Sequence, residues 1–400
     1  MLNLSRLVGA PAPPEEDLRY GAGVHEARTG ALLGRGPVVV WNWTQSCNLA
    51  CTHCYADAVQ GRARGELDTG QARALLHELA AFRVPALLLS GGEPLMRGDA
   101  LELVGDARRL GLRCTLSTNG TLIDDATAAA LAAAGITYVG VSLDGPPDVH
   151  DRWRGRRGAH AATVDGIRRL RARGVRVGLR FTLHRGSAPH LPHMLETAIT
   201  LGIGRVCVYH LVPAGRGRGL GGSALGREEE REGLAWLLAQ AVQLVRSGTD
   251  IELLTVDNHS DGPFTYLWLR RHHPELAPAA WELLRRNRGN RSGIALAAIG
   301  PRGDVYPDQF SRDQVLGNVL VRRLQDIWDG PDAAPLLGRL RDRRRYIGGR
   351  CATCAWFPVC GGNLRARAAA AGNLWGEDPA CLLEDAEVAG TGEAGPPTSP

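Results

Sequence analysis

Cys47-Asn48-Leu49-Ala50-Cys51-Thr52-His53-Cys54-Tyr55 is a cysteine-rich stretch that directly follows an apolar, strand-like run, residues 38–43. Its cysteines have the spacing C-x3-C-x2-C. A [4Fe-4S] cluster usually takes four cysteine ligands, so a loop that supplies three leaves one iron open to a small chelating molecule. The open iron makes this loop a candidate catalytic centre. A zinc site is the alternative, although zinc would need a fourth ligand and favours C-x2-C pairs.

The spacing, together with Tyr55 after the last cysteine, resembles the signature of radical S-adenosylmethionine (SAM) enzymes. The resemblance implies that Cys47, Cys51 and Cys54 bind a [4Fe-4S] cluster. It also implies that the amino and carboxylate groups of SAM occupy the open iron, with Tyr55 beside this cofactor site.

Short β-branched or leucine-rich runs alternate with Ala/Leu/Arg-rich helical stretches after this loop. The strand candidates are residues 38–43, 86–90, 113–117, 138–142, 176–182 and 205–210. Because alternating strands and helices form parallel sheets, the pattern predicts an α/β fold built on a partial, TIM-like (β/α)6 barrel. Ligands of such a barrel gather at the carboxyl ends of its strands.

The ends of these strands carry the candidate cofactor-binding residues. Gly91-Gly92-Glu93-Pro94 follows the second strand; its glycines let the backbone approach a ligand, and Glu93 can accept a hydrogen bond from an ammonium group. This tetrapeptide resembles the GGEP element with which radical SAM enzymes hold the SAM amino group. By the same resemblance, SAM contacts are expected from polar residues at later strand ends, namely Ser117, Asn119, Ser142 and Asp144. Turn capping is the alternative role of these four residues.

A second set of cysteines lies near the C-terminus, with the layout C-x2-C-x5-C-x20-C. It consists of Cys351, Cys354, Cys360 and Cys381. The spacing alone suits a zinc ribbon or a fully ligated iron–sulfur cluster. Resemblance to the SPASM or twitch modules of radical SAM enzymes implies an auxiliary [4Fe-4S] cluster in a small α+β domain, in which one ligand need not be cysteine. The remaining Cys114 and Cys207 lie in strand-like contexts and are predicted to pack in the core.

Length and composition predict a soluble enzyme of more than one domain. The chain has 400 residues, a net charge of +5 and nine cysteines. It lacks both a membrane-spanning apolar segment and a secretory signal pattern, which predicts a cytoplasmic protein whose cysteines are metal ligands or buried thiols. The dispersed basic charge favours acidic small molecules as much as nucleic acid, and two arginine-rich runs, 152–157 and 341–345, are predicted to be solvated.

The same patterns predict a division of the chain. The expected parts are an N-terminal extension (1–36), the radical SAM core (37–225), a helical bridge (226–292), a SPASM-like domain (293–388) and a disordered tail (389–400). The SPASM-like domain is expected to open with a strand pair at about residues 293–299 and 304–307.

Several segments sharpen the resemblance to one branch of radical SAM enzymes, which removes tetrapyrrole side chains in heme biosynthesis. They are residues 38–42, 209–211, 214–217, 254–262, 316–319 and 374–381. The resemblance implies loss of two acetate side chains from 12,18-didecarboxysiroheme to give Fe-coproporphyrin III. It implies a tetrapyrrole substrate and a low-potential electron donor such as ferredoxin or flavodoxin, with no nucleic acid or membrane partner. The alternatives are removal of propionates in heme d1 biosynthesis, peptide maturation, and a noncatalytic zinc-binding protein.

Candidate substrate-binding residues follow the fifth and sixth strands. Arg216 and Arg218 stand in a glycine-rich segment that is expected to form a flexible lid and to pair with substrate carboxylates. Arg180 is either a partner of the SAM carboxylate or a structural ion-pair residue. Substrate contact or proton donation is expected from three candidate catalytic residues, His210, Asp257 and His259.

Overall fold

A computed structural model describes residues 1–13, 17–20, 36–61, 63–390 and 395–397 of the chain. In chain order its strands are β1 Leu2–Asn3, β2 Val38–Thr44, β3 Ser46–Cys47, β4 Val59–Gln60, β5 Leu87–Gly91, β6 Cys114–Thr118, β7 Tyr138–Ser142, β8 Val177–Leu183, β9 Arg205–His210, β10 Glu252–Val256, β11 Leu296–Ile299, β12 Asp304–Tyr306 and β13 Gly317–Asn318. The longer helices are α3 Thr69–Ala81, α4 Ala100–Arg109, α5 Asp125–Ala133, α6 Pro147–Arg154, α7 Ala159–Ala172, α8 Leu191–Thr200, α9 Arg227–Arg246, α10 Asp261–His272 and α11 Ala277–Asn287.

Shorter helices occupy the two ends of the chain. They are α1 Leu4–Leu7 and α2 Asp17–Tyr20 at the start, and α12 Leu324–Asp329, α13 Pro335–Arg341, α14 Arg350–Thr353, α15 Phe357–Cys360, α16 Arg365–Ala370 and α17 Asp385–Ala389 near the end. Segments of 3-10 helix span Pro94–Met96, Ala188–His190, Gly215–Ser223 and Arg343–Arg345. None of the helices in the described ranges is long and apolar enough to cross a bilayer.

The main sheet runs in the order β1-β10-β9-β8-β7-β6-β5-β2-β11-β12-β13. The six strands predicted from the sequence, β2 and β5 to β9, are parallel neighbours, which confirms the partial barrel. Strands β10 and β11 extend this parallel set at its two sides. The carboxyl ends of eight parallel strands therefore lie along one edge, where the candidate site residues gather.

Local sequence explains how the helices cover this sheet. Helix α3 begins at a capping box, in which the Asp68 carboxylate accepts from the Gln71 amide at 2.8 Å and the Gln71 side chain accepts from the Asp68 amide at 3.0 Å. Its buried residues, Ala72, Leu75, Leu76 and Leu79, recur at helical spacing on one face. The apolar stripe joins the main hydrophobic core, and the helix packs beside α4.

The region 226–292 differs from the predicted helical bridge, because strand β10 lies between α9 and α10. This strand pairs parallel with β9, and β1 at the N-terminus pairs antiparallel with it. Four of the five residues of β10 are buried. The short apolar run between the two long helical patterns is therefore a strand of the sheet. The N-terminal extension therefore contributes a strand to the main sheet. Its residues 14–16 and 21–35 lie outside the described part of the chain.

The C-terminal region joins the barrel directly. The predicted strand pair is present as β11 and β12, which run antiparallel, and β11 also pairs parallel with β2. Most of the tail predicted to be disordered lies outside the described residues. The sheet therefore carries β2, with the cysteine loop that follows it, next to the first strand of the C-terminal region.

Candidate cluster and cofactor site

The three cysteines of the loop converge at the carboxyl end of β2. Cys47 and Cys51 are 6% and 8% exposed. Burial raises the pKa of Cys47 to about 11, and negative charge on Cys51 and Cys54 would raise it further. Buried thiols that disfavour one another's ionisation need a compensating cation to become thiolates.

The donor chemistry of this loop fits an iron–sulfur cluster better than zinc. Among the described residues, no three His, Cys, Asp or Glu side chains meet closely enough to hold a single metal ion. Each thiolate of a cubane binds a different iron, so the thiols need not meet at one point. The loop therefore offers three thiols, two of them buried, to a cluster that takes one thiolate per iron.

A buried ion pair lies beneath the loop. Arg154 Nη1 donates to Cys51 Sγ at 3.7 Å, and Arg154 Nη2 lies 2.7 Å from Asp144 Oδ2. Burial alone would raise the pKa of Asp144, but Arg154 outweighs it and the pKa falls to about 2. His53 Nε2 lies 3.4 Å from the same carboxylate, and burial lowers the pKa of His53 to about 4. Asp144, predicted to contact SAM, is thus fully buried and engaged by the Arg154 cation and the His53 ring.

The glycines of the GGEP element lie against the backbone of the cysteine loop. Gly91 has a φ of +148°, and a Cβ on Gly92 would lie 2.3 Å from the Ser46 carbonyl oxygen. The amides of Gly92 and Glu93 donate to the carbonyls of Thr44 and Ser46 at 2.7 and 2.8 Å. No side chain fits between these segments, which explains both glycines.

Glu93 is completely buried and its carboxylate binds protein donors. Its Oε1 accepts from Thr118 Oγ1 at 2.7 Å, and its Oε2 accepts from the Asn119 amide at 2.7 Å. The Leu95 amide also donates to it, at 3.2 Å, as Pro94 begins a 3-10 turn. Glu93 therefore connects the end of β5 to the end of β6. This structural role is additional to the predicted hydrogen bond from the SAM ammonium group.

Asn119 connects the same strand end to the cysteine loop. Its Nδ2 donates to Asn48 Oδ1 at 2.8 Å, and Asn48 Nδ2 donates to Thr121 Oγ1 at 2.8 Å. Neither Asn48 nor Arg154 was singled out by sequence reasoning. Arg154 belongs to a basic run, and nothing in that run marks one member as buried.

A polar patch with one cation lies at the interior of the barrel. Arg180 Nη1 donates to Ser117 Oγ, and its guanidinium carbon lies 4.6 Å from the centre of the Tyr209 ring. Ser142 faces Arg180 in register on the neighbouring strand. No carboxylate pairs with Arg180 among the described residues, so the structural ion pair considered for it is absent there. The hydroxyls and the cation suit a carboxylate ligand.

Tyr55 lies between the interior of the barrel and the C-terminal region. Its hydroxyl donates to Asn42 Oδ1 at 3.1 Å and shares a hydrogen bond with Ser90 Oγ at 3.2 Å. Its ring lies 5.3 Å from that of Phe310, edge to face. Tyr55, directly after Cys54, thus joins the cysteine loop to the C-terminal region.

The second cysteine set also converges. Burial raises the pKa of Cys360 well above its ordinary value, and negative charge on Cys381, Cys354 and Cys351 would add to that rise. Burial likewise raises the pKa of Cys381 to about 11. Four thiols, two buried and two partly buried, that disfavour one another's ionisation fit a metal centre with four protein ligands.

Two predicted substrate contacts have other partners. Both ring nitrogens of His210 face carboxylates, with Nε2 3.0 Å from Asp261 Oδ2 and Nδ1 3.4 Å from Glu230 Oε2. His210 is 3% exposed and is therefore a structural ion-pair residue rather than a proton donor to substrate. Arg216 donates to the Cys51 and Ala58 carbonyls at 2.8 and 2.6 Å, so it braces the cysteine loop instead of pairing with a substrate carboxylate.

The remaining candidates lie at the junction with the C-terminal region. Asp257 has a φ of +71°, and burial raises its pKa to about 6. The His259 amide donates to Asn363 Oδ1 at 2.6 Å, and burial lowers the pKa of its ring well below the ordinary value. Arg218 is exposed on the 3-10 segment Gly215–Ser223, which contacts the cysteine loop through the Arg216 amide, a donor to the Cys54 carbonyl at 2.9 Å.

A three-thiol loop at the carboxyl edge of a parallel sheet, with a second thiol centre in the C-terminal region, defines a radical SAM iron–sulfur enzyme. Residues 41–198 match the radical SAM superfamily, and residues 293–355 match the SPASM iron-sulfur cluster-binding domain. The chain is 42% identical over 396 residues to the Fe-coproporphyrin III synthase of Methanosarcina barkeri, covering 97% of this chain and 99% of that protein. It is 39% identical over 369 residues to the pre-heme d1 synthase of Dinoroseobacter shibae, covering 90% of each.

The chain therefore belongs to the radical SAM superfamily, in the group that contains these two heme-biosynthesis relatives. Its cofactors are SAM with a [4Fe-4S] cluster and an auxiliary iron–sulfur cluster, as the sequence predicted. The fold is shared with SuiB of Streptococcus suis bound to S-adenosylmethionine, at a TM-score of 0.66 and 18% identity over 87% of this chain and 78% of that chain.

Proposed function

We propose that the protein removes two acetate side chains from 12,18-didecarboxysiroheme to give Fe-coproporphyrin III. The observation that supports this proposal most is the 42% identity to an Fe-coproporphyrin III synthase along almost the whole of both chains. The converging thiols of Cys47, Cys51 and Cys54 at the barrel edge agree with it, because they leave room for the open iron that SAM requires.

The ligands of the two clusters are part of the proposal. Cys47, Cys51 and Cys54 bind the cluster that carries SAM, and the auxiliary cluster is held by Cys351, Cys354, Cys360 and Cys381. When bound, the first cluster and SAM supply a 5′-deoxyadenosyl radical, which abstracts hydrogen from an unactivated carbon as no side chain can. The proposal also divides the chain into a radical SAM core (37–225) and a SPASM-like domain (293–388), with strand β10 of the intervening region joined to the sheet of the core.

The chain's own residues orient and enclose the cofactor. Arg180, with Ser117 and Ser142, binds the methionyl carboxylate, since this half-buried cation has no carboxylate partner among the described residues. Gly91 and Gly92 bring the loop backbone close to the cofactor. The surrounding buried side chains keep water away from the reacting carbon.

Two residues are proposed to serve the tetrapyrrole. Arg218 is exposed on the segment that overlies the cysteine loop, and it pairs with a substrate carboxylate. Asp257, whose pKa burial raises to about 6, can take up and release a proton close to neutral pH near the junction with the C-terminal region. His259 lies beside it and remains a substrate contact in this proposal.

The electron donor is proposed to be a low-potential carrier such as flavodoxin or ferredoxin, in the cytoplasm. All nine cysteines are free thiols in the structure, as befits metal ligands and buried thiols in a reducing compartment.

The test is anaerobic incubation of the iron-loaded protein with dithionite, SAM and 12,18-didecarboxysiroheme, followed by mass spectrometry of the tetrapyrrole. The proposal predicts loss of two acetate groups and formation of 5′-deoxyadenosine. Loss or alteration of propionates would instead assign the heme d1 reaction, which the 39% identical relative represents. Unaltered tetrapyrrole beside abundant 5′-deoxyadenosine would overturn the substrate and leave peptide maturation to be tested.

A further inference from the structure

Three exposed arginines form a cationic surface beside the cysteine loop. They belong to the run 152–157, and we define the arginine surface by Arg152, Arg156 and Arg157. Within the described part of the chain, none of the three forms an ion pair with a carboxylate. Asp151, next to them in sequence, accepts instead from the amides of Gly158 and His160 at 2.5 and 2.8 Å. The positive charge of this surface is therefore free to act on a partner.

The arginine surface is attached to the loop that binds the SAM cluster. The Ala50 amide donates to the Arg154 carbonyl at 3.2 Å, and the Thr52 amide donates to the Trp153 carbonyl at 3.1 Å. Ala50 and Thr52 are exposed, although Cys51 between them is buried. The cluster-binding loop thus reaches solvent beside these arginines, and an electron that enters here has a short path to the cluster.

The second basic run, 341–345, carries less free charge. Arg341 Nη2 lies 3.4 Å from Asp329 Oδ1, Arg343 is buried and donates to backbone carbonyls, and Arg344 donates to the Cys351 carbonyl at 3.4 Å. Its charges stabilise the fold around the second cysteine set. Arg345 is the one arginine of this run that is exposed with no side-chain partner among the described residues, whereas the first run presents three such cations.

We propose that the arginine surface is the docking site of a small acidic electron-carrier protein. This inference rests on the proposed function, because it assigns a surface to the reductant that the cofactors require. One electron passes from the reduced carrier to the cluster held by Cys47, Cys51 and Cys54; the carrier is oxidised, the cluster is reduced, and no covalent bond changes. Charge complementarity speeds the encounter of such partners and makes it sensitive to salt. Trp153, half-buried within the run, supplies an apolar centre for the contact.

The test compares two reductants for one variant. Reversal of charge in R152E/R156E/R157E alters exposed side chains only, and the matched control R171E/R246E/R286E reverses three exposed arginines at the ends of helices that precede strands. Those helix ends lie at the opposite edge of the parallel sheet. The formation of 5′-deoxyadenosine from SAM is measured with dithionite and with limiting reduced flavodoxin, and the dissociation constant of flavodoxin is measured by fluorescence of its flavin.

With flavodoxin, the first variant is expected to lose about 10- to 100-fold in kcat/KM and to bind flavodoxin correspondingly more weakly. With dithionite it should match the wild type, and the control should match with both reductants. Retention of the flavodoxin-supported rate within about twofold, or an equal loss in the control, would overturn the proposal.

Two further arms keep the result interpretable. If the triple variant fails to cleave SAM with dithionite, the single variants R152E and R157E are compared in the same way, and normal flavodoxin kinetics in both would again overturn the proposal. Failure of the wild type to alter the tetrapyrrole with dithionite would count against the proposed function alone, since that arm does not use the arginine surface.

Discussion

Arg154 contacts the cysteine loop although it lies far from that loop in the sequence, so no local sequence pattern predicts the contact. It is 103 positions from Cys51, to which it donates a hydrogen bond, and its charge is balanced by Asp144. The cysteines themselves were predictable because their spacing is local. The partners of Asp144 were not predictable, because short polar residues at strand ends serve both ligands and turns. Those of Arg216 were not predictable either, because they are backbone carbonyls more than 150 positions away.

Replacement of Asp144 by Asn tests this buried pair. The variant leaves the Arg154 guanidinium buried without its counter-charge, which should lower the free energy of unfolding by about 3–5 kcal/mol. Anaerobic urea denaturation measures the change. The control, Asp148→Asn, removes an exposed carboxylate at the start of α6 and should cost less than about 1 kcal/mol. If the Asp144→Asn variant had the same free energy of unfolding as the control, the Arg154–Asp144 pair would not stabilise the cysteine loop.

His210 gives a pH dependence. Burial alone would lower its pKa, but Asp261 and Glu230 outweigh burial and raise the pKa to about 10. An unfolded histidine has a pKa of about 6.5. The charged His210 therefore stabilises the fold fully below that pH, and this stabilisation is lost as the pH rises through about 10. Unfolding free energies at about pH 6.5 and about pH 9.5 should therefore fall more steeply for the wild type than for His210→Gln. Equal slopes would contradict the charged state assigned to His210.

Among the elements, the parallel strands were predictable and the connections between regions were not. Strands β2 and β5 to β9 carry apolar runs of ordinary strand length, which a sequence displays directly. Strand β10 lies inside the predicted helical bridge, because its five residues stand between the helical patterns of α9 and α10. Its pairing with β9 and β1 depends on contacts between segments far apart in the chain.

The turn after β5 provides a test at this scale. A Cβ on Gly92 would lie 2.3 Å from the Ser46 carbonyl oxygen, so Gly92→Ala should displace the strand that contains Cys47. We expect loss of the iron of one of the two clusters, measured as iron and sulfide per chain after anaerobic reconstitution. Gly98→Ala is the control, because a Cβ there meets nothing within 4 Å. Full iron content in Gly92→Ala would contradict the close approach described here.

The whole molecule joins barrel and C-terminal region through buried polar contacts as well as through the sheet. Arg367 Nε lies 2.9 Å from Asp378 Oδ1, and its Nη2 donates to the Asp257 carbonyl at 2.6 Å. Its Nη1 donates to the Leu211 carbonyl at 3.4 Å. One arginine thus connects α16 to two loops at the carboxyl edge of the barrel, where the substrate residues are proposed.

Loss of this arginine should loosen the junction. Arg367→Met removes the contacts to both loops and leaves Asp378 buried without its partner, at a cost of about 3–5 kcal/mol in the free energy of unfolding. Thermal unfolding and limited proteolysis measure the effect, with the exposed Arg345→Met as the control. An unchanged melting temperature together with unchanged proteolysis would mean that the sheet alone holds the two regions together.

The central claim is that three thiolates hold a cluster with one open iron, at which SAM is cleaved. Its most direct test is the rate of 5′-deoxyadenosine formation from SAM with dithionite, in the wild type and in a variant with Cys47, Cys51 and Cys54 all changed to alanine. The account predicts that the variant forms none, even though its second cysteine set still binds iron. Wild-type turnover in this variant would contradict the account.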